Sequence, residues 1–67
     1  MPIPEFVYGE YSQGTPEEYA VHVWCIHTGL YEIELLQSDT GETLKSGTFE
    51  GLEEDAIEES RQWLKTI

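Results

Sequence analysis

At 67 residues, 39% of them apolar, the chain is long enough for one domain over residues 1–67 but not for a deep ligand cavity of ~300–1,000 Å³ beside a core. Fourteen Asp and Glu against three Lys and Arg give a net charge of −11, which opposes direct binding of DNA, RNA or an anionic membrane. A single cysteine excludes an internal disulfide and any zinc site built on several cysteines.

The first elements read as strands. Pro2 and Pro4 hold the opening residues extended, and residues 6–11 follow as a short strand, with Phe6 and Tyr8 on one face and Val7 on the other. Gly9 weakens this strand from within. Residues 12–16 form a loop by composition. Residues 19–28 are rich in β-branched and aromatic side chains. Tyr19, Val21, Val23, Cys25 and His27 fall on one face and Ala20, His22, Trp24 and Ile26 on the other, so both faces are largely apolar and the strand is central. Gly29 opens a turn. Residues 30–37 alternate more clearly, with Tyr31, Ile33 and Leu35 opposing Glu32, Glu34 and Leu36, as a half-buried antiparallel strand does. Ser38, Asp39, Thr40 and Gly41 make a hairpin loop. Residues 42–49 return as an edge strand carrying Lys45, with Leu44 and Phe49 as its main apolar residues.

The last segment is helical. At 100° per residue, Leu52, Ala56, Ile57, Ser60, Trp63, Leu64 and Ile67 fall within about 140° of arc, the width of a core-facing stripe. Acids fill the first turns and Arg61 and Lys65 the last, which suits the helix dipole. No strong N-cap residue precedes it. The whole is an α+β fold, a small antiparallel β-sheet of three to four strands with one C-terminal α-helix packed on one face (β-β-β-β-α). Trp63, Leu64 and Ile57 are expected to meet Trp24, Ile26 or their strand neighbours.

The charge is concentrated. Glu50, Glu53, Glu54, Asp55, Glu58 and Glu59 put six carboxylates within ten residues, and Glu32 and Glu34 form a second patch on one strand face. Glu54/Glu58 and Asp55/Glu59 are like-charged i,i+4 pairs, for which Arg61 offers the obvious local relief. These residues are the candidate binding site for a basic protein surface. In its sharpest form, carboxylates stand in for nucleic-acid phosphates and inhibit a nucleic-acid-binding protein. Exposed tyrosines would add an apolar anchor. The alternative is a small structural or adaptor subunit whose acidity serves solubility. Adaptation to high salt would favour Asp, whereas twelve of the fourteen acids are Glu.

Catalysis and cofactors are not expected. His22, Cys25 and His27 look like metal ligands only until they are laid on a strand, where His22 faces away from the other two. Cys25 with His27 lacks an orienting group and reads as a small packing residue. Glu32 and Glu34 sit on an open face where nothing separates their acidities. No glycine-rich phosphate loop precedes the helix. The N-terminal residues have neither the basic nor the apolar region of a signal peptide, and no apolar run approaches the ~20 residues that span a bilayer, so a cytoplasmic setting is expected.

Overall fold

The computed structural model describes residues 3–12 and 18–66. Pro2, the loop residues from 13 onward, Glu17 and the stripe residue Ile67 lie outside this range. Four strands, β1 (Glu5–Tyr11), β2 (Tyr19–His27), β3 (Leu30–Gln37) and β4 (Thr43–Glu50), form an antiparallel meander in the order β1-β2-β3-β4. Helix α1 (Glu53–Lys65) then crosses back over one face, mainly above β2 and β3. This is the β-β-β-β-α architecture that the hydrophobic pattern implies. No helix is long and apolar enough to cross a membrane among the described residues.

Short turns join the last three strands. The Thr28–Gly29 connection places Gly29 at φ +83°, and Gly41 takes φ +76° in the next hairpin, conformations that an L side chain rarely adopts. Gly41 donates its backbone N–H to the Gln37 carbonyl at 2.7 Å, closing that loop.

The core lies between α1 and the sheet face carrying Val21, Val23, Tyr31, Ile33 and Leu35, all of them buried. Ala56 and Ser60, four residues apart on the underside of the helix, are fully buried, and their small side chains let the helix sit close to the strands. The Ser60 hydroxyl is satisfied by donating to the Ile57 carbonyl at 2.6 Å. Val7, Tyr8, Cys25, Phe49 and Trp63 pack round this centre.

Three register shifts decide which side chains join the core. A plain two-residue hairpin at Thr28–Gly29 would pair Trp24 with Ile33 and put the indole under the helix. An irregularity between Cys25 and His27 instead pairs Cys25 with Tyr31, Val23 with Ile33 and Trp24 with Glu32. Directly opposed residues share a face, so one inserted residue reverses the whole upstream half of β2. Trp24 therefore lies on the face away from α1, contrary to the expectation that it meets Trp63 and Ile57. The same device acts in β1. A shift between Phe6 and Tyr8 leaves Val7 and Tyr8 both against the core and sends Phe6 to the other side, opposite Trp24. Phe6 and Tyr8 do not share a face. In β4, the third shift leaves Leu44 between the paired residues Lys45 and Thr43, where it is exposed.

The helix begins one residue later than its stripe. Leu52 is the N-cap, 62% exposed, and makes no side-chain cap bond, so it is not a core residue. Its carbonyl accepts from the N–H groups of Asp55 and Ala56, each at 3.1 Å.

Candidate functional site

Glu53, Glu54, Asp55, Glu58 and Glu59 all lie exposed on α1. The first three occupy the opening turn, where the helix dipole and uncapped N–H groups favour negative charge. Glu58 accepts from Gln62 Nε2 at 2.8 Å and Glu59 from the Trp63 indole N–H at 3.1 Å, both neutral donors one turn on.

The cations go elsewhere. Arg61 does not relieve Glu58. Its Nε donates to the Tyr8 hydroxyl at 3.1 Å and to Glu10 Oε1 at 3.3 Å, and the Tyr8 hydroxyl itself donates to Glu10 Oε1. These contacts raise the Arg61 pKa above its ordinary value, the hydrogen bond to Tyr8 foremost. Lys45 Nζ lies 4.3 Å from the centroid of the Trp63 ring, in cation–π contact. Arg61 thus fastens α1 to β1, and Lys45 fastens it to β4. Among the described residues, no carboxylate of α1 has a cationic partner within 4 Å.

Five carboxylates from Glu53 to Glu59 span about 9 Å of helix axis at 1.5 Å per residue, or one charge per ~2 Å. B-form DNA carries one per ~1.7 Å. The two linear densities are alike.

Glu32 and Glu34 lie on the sheet face opposite α1, so the two predicted patches are on opposite sides of the molecule. Glu50, grouped with the helix acids by sequence, pairs with Leu30 and shares the parity of this sheet face instead. The positive φ of Gly51, +147°, turns the chain between Glu50 and the helix.

The open face has an order of its own. One rung across the four strands reads Phe6, Trp24, Glu32, Thr48, and the next reads Gly9, His22, Glu34, Ser46. The rings of Phe6, His22 and Trp24 meet edge to face, with centroids 5.2–6.3 Å apart and interplanar angles of 73–87°. Gly9 makes room for this: a Cβ there would lie 2.9 Å from the tip of the Phe6 ring. Glu34 Oε1 accepts from the Trp24 indole N–H at 3.0 Å and lies 3.7 Å from His22 Nδ1.

The Cys25 and His27 pair does not assemble. Cys25 is opposite Tyr31 on the core side and its thiol points to the His27 carbonyl at 3.4 Å, while the shift at Cys25/His27 sets His27 opposite Leu30, on the other parity. The exposed His27 Nδ1 is 3.1 Å from the Thr28 carbonyl. No group of three or more His, Cys, Asp or Glu that could hold a metal occurs among the described residues.

Composition and spacing single out the acids and miss Phe6, His22 and Trp24 as a cluster. Their signal is the face shared by Glu32 and Glu34. A strand face with two charges is open to solvent, and whatever pairs with it across β2 must share that face. Compared with known proteins, the chain matches no family model, no curated protein and no solved structure.

Proposed function

We propose that this chain is a non-catalytic acidic protein that docks onto a basic protein surface through the outer face of α1. The observation that carries the reading is that, among the described residues, none of the five helix carboxylates has a cationic partner within 4 Å, while Arg61 is engaged with Tyr8 and Glu10 of β1 and Lys45 of β4 with the Trp63 ring. Charge left unpaired on a rigid helix speeds encounter with a cationic partner and orients it. Because its density along the axis approaches that of duplex DNA, the favoured partner is a nucleic-acid-binding protein, which the chain would inhibit by occupying its basic groove. Such a partner would be met in the cytoplasm.

A second reading, a small adaptor subunit of a larger assembly, draws on one specific observation. The edge strands β1 and β4 carry exposed Phe6 and Leu44, which suit a neighbour that covers a sheet edge. The two readings separate on charge. Proteins captured from the native host at low salt and eluted on a salt gradient supply the partner, and its affinity is then measured for the wild type and for Glu54→Lys/Glu58→Lys. Docking through α1 predicts that affinity falls tenfold or more between ~50 and ~200 mM salt, and falls comparably in the double variant. Binding indifferent to both changes would leave only the adaptor.

A further inference from the structure

The open face of the sheet combines flat aromatic surface with fixed negative charge. Phe6 is 52% exposed, and Trp24 stands between Glu32, directly opposite, and Glu34, which its indole N–H holds in place. Only one oxygen of Glu34 is engaged. Oε2 has no partner among the described residues. Lys45, Arg61 and Lys65 all belong to the helix side or to α1 itself, so no Lys or Arg offsets these carboxylates on their own face.

The geometry points to this face as a docking surface for arginine side chains of a basic protein segment, with the guanidinium laid on the Trp24 and Phe6 rings and hydrogen-bonded to Glu34 Oε2. Three features select that chemistry. A guanidinium is planar and weakly hydrated, so it stacks on aromatic faces as an ammonium does not. The edge-to-face arrangement of three rings presents ring faces at steep angles, which gives a planar cation a wall to lie against. A carboxylate already oriented by an indole N–H offers its free oxygen without first having to be ordered. Glu32 and Glu50 continue the negative charge along the face for further basic residues. A second copy of this chain is the disfavoured occupant, because it would bring the same −11 charge against these carboxylates. The proposal concerns the side of the molecule away from α1 and stands whether or not the helix is the docking face.

The experiment is a titration of the isotope-labelled full chain with hexa-arginine and with hexa-lysine at ~150 mM salt, following the two indole N–H signals and the backbone amides. Hexa-arginine is expected to bind at least ~5-fold more tightly than hexa-lysine and to shift the Trp24 indole signal with amides of β1, β2 and β3. Glu34→Gln should remove most of that preference, about a fivefold loss for hexa-arginine and little for hexa-lysine. Glu54→Lys/Glu58→Lys should weaken both peptides alike and leave the preference standing, which separates this site from the helix. Equal affinity of the two wild-type complexes would overturn the proposal without any variant having to fold. So would shifts confined to α1, or concentration-dependent dimerisation that buries Trp24.

Discussion

The two outer faces of this molecule carry negative charge in opposite ways. On α1, five carboxylates stand exposed with neutral hydrogen-bond donors at most, and their effect is a field. On the open sheet face, fewer carboxylates are set among rings, and one of them is held by an indole N–H. The first arrangement is long-ranged, sensitive to salt and indifferent to the shape of a cation. The second is short-ranged and shape-selective. A net charge alone cannot distinguish them. An indole N–H holds one carboxylate on each face, Glu59 through Trp63 and Glu34 through Trp24; what separates the faces is that Lys45 already lies over the Trp63 ring, whereas among the described residues no Lys or Arg lies over Trp24.

The sharpest way to break this comparison is to ask whether the open face is merely a second core. Ile33 is 1% exposed beneath α1, whereas the larger Phe6 is half exposed on the other side. Ile33→Ala should lower the unfolding free energy by about 2–5 kcal/mol, since it removes buried methyl groups and leaves a cavity. Phe6→Ala should cost only about 1 kcal/mol, roughly half the value for a fully buried side chain. Urea denaturation of both variants decides it. Equal losses would mean that the aromatic cluster exists for stability, and its case as a docking surface would weaken accordingly.

The fold was legible in the sequence because strand alternation, turn glycines and the helical stripe all agree. The faces were not, and the reason is local. Both faces of β2 are apolar, so periodicity cannot say which one meets the helix, and a single inserted residue at Cys25/His27 settles the choice. The β1 shift has no signal in residues 6–8 beyond two aromatics flanking a valine. The acids on α1 were legible, because helical geometry places them outside the stripe whatever the sheet does. Their lack of cationic partners was not, because Arg61 reaches across to Glu10, 51 residues away in sequence.

A gentler change acts on the open face alone. Gly9→Ala places a methyl 2.9 Å from the Phe6 ring tip and 3.3 Å from His22 Cδ2. The ring is exposed and can swing away, so the chain should fold while losing the edge-to-face contacts, about 0.5–1.5 kcal/mol. Near-ultraviolet circular dichroism should report the changed environment of Trp24. Arginine selectivity should fall with it, and retained selectivity would show that Phe6 plays no part in the docking surface.

Alkaline pH tests the helix side instead. Burial raises the phenol of Tyr31 above its ordinary value of 10.0, with Cys25 and then Glu53 adding to the shift. An acid whose folded pKa is raised favours its protonated form in the native state. Its contribution is therefore complete below pH 10 and lost as pH climbs through the folded value. Thermal unfolding of the wild type should steepen in its pH dependence above pH 10, and Tyr31→Phe should remove that part of the slope. An unchanged slope would mean that Tyr31 meets solvent, and the packing between α1 and β3 would need revision.

The smallest expected effect is the most specific to the charged face. Glu53 and Glu58 are both exposed on α1, but only Glu58 has a like charge four residues before it, and only Glu53 stands in the first turn. Glu58→Gln should stabilise by about 0.2–0.5 kcal/mol through relief of its repulsion with Glu54. Glu53→Gln should instead destabilise, by roughly 0.3–1 kcal/mol at low ionic strength, because it withdraws charge from the positive end of the dipole. Both effects should shrink toward zero at ~1 M salt, where exposed charges are screened within ~3 Å. Opposite signs at low salt would show that the helix gains from its first acids and is strained by its later ones. The later carboxylates would then be charge that folding does not favour, as charge serving docking or solubility would be.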